Sequence, residues 1–345
     1  MPRLIAVFLA LFMAIALICP ASTVLATAHD GKPAAPIMPV PRDISPAAQA
    51  FYANLRPRPP GPVDIENPKV LAFTRQFLGK MFAANAVEFG IEYELERAAS
   101  DTVEAYWLRT GEPRLDKVLI YLHGGGQILG SAKTNIVTPL RVMLASGVPV
   151  LSVEYRLAPE HPFPAGLRDA LAAYRWLLAN GFEPGDIGVF GDSAGGNLAL
   201  AMPLLARDEG LPQPAALVLL SPSIDRTRTG DSHATMPAFD PVLGAPTAEV
   251  YAVDVALDDP LVSPVYADLH GLPPMLIQVG TRERLLSDSV RLARNARLAG
   301  VDVTLDVWDG MWHVWQGNPV IPEAEQATRE IGEFFIRHLG IDSRL

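Results

Sequence analysis

Three groups of residues in this chain have types and spacings that could carry chemistry. The first is Gly191-Asp192-Ser193-Ala194-Gly195, a hydroxyl set among small residues. An apolar run (Ile187, Val189, Phe190) precedes it, and a segment rich in alanine and leucine follows it to Ala201 and reads as helix. A strand-to-helix turn too sharp for bulky neighbours would hold Ser193 out at its apex as a nucleophile. The plainer alternative is an ordinary glycine-rich turn, so a base, an acid and an oxyanion site must be found elsewhere. The second group is His123-Gly124-Gly125-Gly126, directly after the apolar run Val118–Leu122. Glycines let backbone N–H groups approach a ligand closely, and with the amide of Ala194 they would stabilise the oxyanion of acyl transfer. A phosphate loop fits less well. A dinucleotide fingerprint from Gly124 would need glycine where Leu129 stands, and a Walker-type loop from Gly125 would need lysine where Ser131 stands. His123 itself reads as a brace for the loop.

The third group lies towards the C-terminus. Among seven histidines, His313 in "DGMWHVW" falls on a loop just beyond the last apolar strand, where a base belongs in the chain order nucleophile, acid, histidine. Its plain alternative is a structural histidine under Trp312 and Trp315. Two carboxylates in "GTRERLLSDS" compete for the acid, Glu283 and Asp288. Either could be a solvated surface charge. Glu283 follows the strand Met275–Val279 on the loop at its C-terminal end, whereas Asp288 falls in the first turn of the next helix, where the dipole favours a carboxylate. Position favours Glu283 as the acid, with Asp288 still open. No His-Glu-x-x-His and no Cys/His spacing suggests a metal, and the chemistry calls for no cofactor.

These groups need a scaffold that brings them to one edge. Ile91–Arg97 and Val103–Leu108 read as an antiparallel pair. Val118–Leu122, Val148–Tyr155, Ile187–Phe190, Ala216–Leu220 and Met275–Val279 are short apolar runs suited to strands buried on both faces. Val301–Val307 alternates strictly, as an edge strand does. Helices are expected over Ala47–Leu55, Pro68–Ala86, Ala165–Ala179, Asp288–Leu298 and Pro322–Leu339, with one after Ser193 that Pro203 should kink or end. The alternation predicts an α/β protein with a mostly parallel sheet flanked by helices. Val70, Leu71, Phe73, Phe77, Leu78, Met81 and Phe82 recur at helical spacing, which is expected to be core packing and would also suit a roof over a pocket.

The chain has 345 residues, 49% of them apolar, enough for a large core. Its 28 basic and 38 acidic residues give a net charge of −10, which argues against nucleic acid or an anionic membrane as partner. The N-terminus differs in character. Arg3, the apolar run from Leu4 to Ile18 and Ala26-Thr27-Ala28 have the layout of a signal peptide over residues 1–28, cleaved after Ala28. An uncleaved anchor is the competing reading, but Leu4 to Cys19 is shorter than the about 20 residues a span needs. The only cysteine, Cys19, lies in this segment, with bulky Ile18 before it. The expected mature protein is thus an exported domain over residues 29–345, with no thiol and no lasting membrane contact. Prolines crowd its first part, from Pro33 to Pro62.

From about Pro46 onward the chain resembles the bacterial hormone-sensitive-lipase-like esterases, α/β-hydrolases with a helical cap. "HGGG" at His123–Gly126, "YRLAPEHPFPA" at Tyr155–Ala165, "GDSAGG" around Ser193, "LVSPVYADLHGLPP" at Leu261–Pro274 and "DGMWHVW" occur in the family's order. The resemblance implies Ser193 as nucleophile, His313 as base, and Gly124, Gly125 and Ala194 as oxyanion donors. The family's aspartate position, counted back from Ala299-Gly300-Val301, falls on Glu283. Tyr155–Ala165 is implied to be an architectural turn with Arg156, Glu160 and Asp169 as a polar scaffold. Cap elements are implied at about 46–90 and 223–262. Two departures stand out: the stretch between Ser221 and Leu272 is short, and the acid motif lacks Asp-Pro-Leu. The expected activity is hydrolysis of short- to medium-chain acyl esters, with lactones open as substrates and a second copy of the chain open as a partner. Two rivals remain: an amidase or peptidase, and a binding protein on the same fold that has lost catalysis.

Overall fold

The computed structural model describes residues 40–54, 64–65, 67–88, 92–111, 116–236, 240 and 247–342. The expected signal peptide, Cys19 and most of the proline-rich stretch lie outside the described residues. Among the described residues, no helix is long and apolar enough to cross a membrane.

Eight strands form one sheet: β1 (Glu94–Arg97), β2 (Ala105–Arg109), β3 (Val118–Leu122), β4 (Val150–Val153), β5 (Ile187–Asp192), β6 (Ala216–Leu220), β7 (Met275–Gly280) and β8 (Val303–Trp308). Their order is β1-β2-β4-β3-β5-β6-β7-β8. The first two pairings, β1 with β2 and β2 with β4, are antiparallel, and all the others are parallel. The helices are α1 (Pro46–Asn54), α2 (Pro68–Glu88), α3 (Val137–Ser146), α4 (Ala165–Ala179), α5 (Ala194–Asp208), α6 (Asp231–Thr235), α7 (Thr247–Tyr251), α8 (Leu286–Leu298) and α9 (Pro322–His338).

The apolar runs become the central strands because both sheet faces are covered. Along β3, Val118, Ile120 and Leu122 point into a core shared with α4, α5 and α8, while Leu119 and Tyr121 point into a second core with α3 and α9. β8 ends the sheet; its alternation holds over Val303 to Leu305 but breaks after it, where Asp306 is half-buried and Val307 exposed. The mostly parallel sheet flanked by helices is the α/β-hydrolase architecture. In such a sheet, ligands sit outside the C-terminal ends of the strands.

Two local expectations differ from what is found. Pro203 neither ends nor shortens α5, which runs on to Asp208. The helix is buried on nearly all sides, so packing outweighs the hydrogen bond that proline removes. The apolar stripe on α2 divides between two faces. Leu71, Thr74 and Leu78 are buried, whereas Phe73 is 52% exposed and stacks on Phe77. Helical spacing put Leu71, Phe73, Phe77 and Leu78 in one stripe, but the seven-residue repeat of Leu71 and Leu78 is the face that packs. The Phe82 side chain lies outside the described residues.

Candidate active site

The elbow forms where β5 meets α5. Ser193 has φ 54° and ψ −117°, a conformation that a non-glycine residue holds only when its surroundings enforce it. Its N–H donates to the Leu220 carbonyl at 2.8 Å, which ties the apex to β6. Gly195 is required by space, since a Cβ there would lie 1.9 Å from the Leu122 carbonyl oxygen. Ser193 Oγ stands 2.9 Å from His313 Nε2, and His313 Nδ1 stands 3.0 Å from Glu283 Oε2. The structure therefore brings Ser193, His313 and Glu283 into one hydrogen-bonded series.

The loops after β7 and β8 hold that series because they continue the pairing of their strands. Thr281 N–H donates to the Trp308 carbonyl and Arg282 N–H to the Met311 carbonyl, both at 3.0 Å. Gly280 permits the approach, because a Cβ there would lie 2.1 Å from the Met311 carbonyl oxygen. Helix α1 packs on the histidine loop from outside: Phe51 stacks on Trp312 at 3.8 Å, and the Tyr52 hydroxyl donates to the Gly310 carbonyl. Glu283 is wholly buried, and its Oε1 accepts from Ser221 Oγ at 2.8 Å and from Gly280 N–H at 2.7 Å. Ser221 Oγ in turn accepts from Val314 N–H at 3.1 Å. Among the described residues, five non-glycine residues have positive φ, and four of them (Gln127, Ser193, Ser221 and Val314) belong to this site. Backbone strain is thus concentrated where the side chains must be aimed.

Burial opposes the charged form of His313, but Asp240, Glu283 and Asp192 outweigh it and push the imidazole up to about 9. Burial also raises the Glu283 carboxyl, against the hydrogen bond and charge of His313. Asp240 is a further buried carboxylate here. Its ligand atom and those of Glu283 and His313 lie within 4.8 Å of one another, a spacing that could also hold a cation. Both His313 nitrogens already face Ser193 and Glu283, so the arrangement reads as a proton relay with an added negative charge.

The oxyanion loop departs from expectation at one donor. The Gly124 N–H donates to Asp192 Oδ1 at 3.1 Å, and Tyr121 Oη donates to the same oxygen at 2.6 Å. Among the described residues, nothing engages the N–H groups of Gly125, Gly126 and Ala194. The amides open to an oxyanion are therefore those of Gly125, Gly126 and Ala194, with Gly124 held back as a strut. His123 stacks on Tyr155 with centroids 4.2 Å apart, its Nδ1 lies 2.8 Å from the Gly124 carbonyl, and burial lowers its pKa to about 4. It is a neutral brace, as its place in the chain suggested.

The turn at Tyr155–Ala165 is a polar scaffold with one unforeseen partner. Arg156 makes a forked contact with Asp169, whereas Glu160 pairs with Arg75 of α2, whose Nε also donates to the Ile128 carbonyl at 2.8 Å. Asp288, the competing acid, lies elsewhere. It is wholly buried and bonded to His233 and Arg291, and it does not reach His313.

Sequence reasoning missed Ser221, Asp240, Gln127 and Arg226. A signal existed only for Ser221, which immediately follows β6 at the strand end where sites of this architecture collect.

Comparisons with known proteins agree with this fold. A family model described as alpha/beta hydrolase fold matches residues 119–317. The chain is 43% identical over 236 residues to an "Acetyl-hydrolase" from Streptomyces hygroscopicus, covering 67% of this chain and 78% of that protein. It is 36% identical over 267 residues to the "Carboxylesterase/phospholipase LipF" of Mycobacterium tuberculosis, covering 73% of this chain and 69% of that protein. A crystal structure of an esterase from the bacterial hormone-sensitive lipase (HSL) family superposes with TM-score 0.73 at 43% identity, covering 78% of this chain and 92% of the other. EstE5, in a crystal soaked with p-nitrophenyl butyrate, superposes with TM-score 0.72 at 39% identity and the same coverage.

Proposed function

This chain belongs to the bacterial hormone-sensitive-lipase-like esterases of the α/β-hydrolase fold and is a carboxylesterase-type hydrolase, and on that premise we propose an acyl-enzyme mechanism carried by Ser193, His313 and Glu283. His313 Nε2 takes the proton of Ser193 Oγ as the oxygen bonds to the ester carbonyl carbon. The carbonyl electron pair moves onto its oxygen, which the amides of Gly125, Gly126 and Ala194 receive. Collapse expels the alcohol, protonated by His313. Water, deprotonated by His313, then attacks the acyl carbon, and Ser193 leaves with the returned proton. Glu283 stays ionised and steadies the imidazolium through Nδ1. The observation that carries this reading is the series Ser193–His313–Glu283, at 2.9 and 3.0 Å.

The substrates are esters of short to medium acyl chains. Helix α7 supports this limit, because it lies directly on the oxyanion loop: a Cβ on Gly126 would fall 2.9 Å from Thr247 Cγ2. The exposed Phe73 gives it no support. In a panel of p-nitrophenyl esters and a lactone, acyl chains up to about eight carbons should be cleaved fastest. Faster turnover of emulsified long-chain triglyceride would refute the limit.

Export is part of the same reading, supported by Arg3, the apolar run after it and Ala26-Thr27-Ala28. Protein recovered from a native-type host should begin at His29, and a Met1 start in the membrane fraction would favour an anchor.

A further inference from the structure

Gln127 and Arg226 are buried beside the site, and the mechanism above gives neither a role. Gln127 directly follows the three glycines and holds φ 57°. Its Nε2 donates to the Ala194 carbonyl at 3.0 Å, and its Oε1 accepts from Arg226 Nη2. One side chain therefore spans from the loop that carries Gly125 and Gly126 to the residue that supplies the third amide.

Arg226 is held by its own backbone, whose N–H donates to Ser263 Oγ at 2.7 Å, and its guanidinium lies 5.6 Å from the centre of the Tyr251 ring. Among the described residues no carboxylate pairs with it, and its Nε has no hydrogen-bond partner. Burial lowers its pKa to about 10, so it is charged at neutral pH. The charge of Glu249 is felt at Arg226 without a direct ion pair; a buried cation held in this way is costly, and packing alone does not call for one. Hydrogen-bond chemistry gives it a task. A guanidinium only donates and a carbonyl oxygen only accepts. Arg226 thus fixes which end of the Gln127 amide faces it, leaving the NH2 end to meet Ala194. The charge also strengthens that donor through the amide.

We propose that Gln127 is a positioning residue that sets the spacing between the two halves of the oxyanion hole, and that Arg226 orients it. The proposal rests on Gly125, Gly126 and Ala194 being the oxyanion donors. Oxyanion donors act over a narrow range of distance and develop their full strength only in the transition state. A loosened brace should therefore lower kcat and leave KM nearly unchanged.

The test is steady-state hydrolysis of p-nitrophenyl butyrate, together with the rate of inactivation by diethyl p-nitrophenyl phosphate, whose phosphoryl oxygen enters the same hole. Gln127→Met should lower kcat about tenfold to a hundredfold with KM within about threefold, and should slow inactivation by the same factor. Gln127→Glu keeps an acceptor for Arg226 but has no donor for Ala194, and should be as slow. It carries the test alone if the methionine variant fails to fold. Arg226→Met should be slow as well, and the double variant no slower than Gln127→Met, because the two act as one unit. A folded Gln127 variant with wild-type kcat and wild-type inactivation overturns the brace, as does a double variant whose losses multiply. A wild type that the phosphate ester does not inactivate overturns the Ser193 reading, and the brace with it.

Discussion

Glu283 and Asp288 stand five positions apart, both wholly buried and each bonded to a histidine, yet they serve opposite ends. Glu283 meets His313 at 3.0 Å, and the donors on its other oxygen, Ser221 Oγ and Gly280 N–H, are neutral. Asp288 meets His233 at 2.8 Å, and its other oxygen accepts from Arg291 at 2.9 Å. Arg291 also bonds Asp225, which burial works to raise but which hydrogen bonds from Thr227, Arg291 and Thr229 hold down to about 2. The charge on Asp288 is thus met by a permanent cation, while that on Glu283 is met by a proton that can leave. Behind His313 stands Ser193 Oγ. His233 instead ties α6 to α8. The same two residue types make a relay or a strut according to their third partner.

The largest effects should fall on opposite sides of that comparison. Glu283→Gln should keep the fold and lower kcat by about 10³–10⁴, since the imidazolium loses its orienting charge. Asp288→Asn should leave kcat within about threefold of wild type at temperatures where the protein stays folded. It should cost about 2 kcal/mol of stability, because a buried carboxylate loses its charge-assisted bond to the partly exposed Arg291. Kinetics and thermal melts of the two variants, measured side by side, decide this. A dead Asp288→Asn beside an active Glu283→Gln would reverse the assignment.

A smaller effect sharpens the relay half. The groups facing His313 are Glu283, Asp240 and Asp192, and together they hold it at about 9 against the opposing effect of burial. Only the neutral imidazole is a base, so kcat/KM should rise with pH and level off above that value. Asp240→Asn removes one of the raising charges and should move the inflection to lower pH. An unmoved inflection would mean that the Asp240 charge is not felt at His313.

How far the site was legible depended on whether its cause was local. The elbow was readable because steric crowding at Ser193 writes glycine at 191 and 195. The order Ser193, Glu283, His313 was readable because successive strands deliver loops to one edge. Glu283 was separable from Asp288 by its place after β7, but the burial of Asp288 was not readable. Its partner His233 lies far off in the chain, as does Asp225, which shares Arg291 with it, and both come near only through tertiary packing. Gln127 and Arg226, 99 positions apart, were invisible for the same reason. Gly124 looked like a donor because its sequence shows a free glycine and not the Asp192 oxygen waiting for it. On α2 the spacing marked the apolar positions without saying which face would be covered.

The central claim, that Ser193 is a nucleophile driven by the His313–Glu283 pair, is tested most directly by locating a covalent adduct. Wild type, Glu283→Gln and Asp288→Asn would each be treated with diethyl p-nitrophenyl phosphate, digested, and the modified peptide timed by mass spectrometry. The label should appear on Ser193 at the same rate in wild type and Asp288→Asn, and about 10³-fold more slowly in Glu283→Gln. Hydrolysis that continues with Ser193 fully blocked, or a label whose rate depends on Asp288 and not on Glu283, would contradict the account.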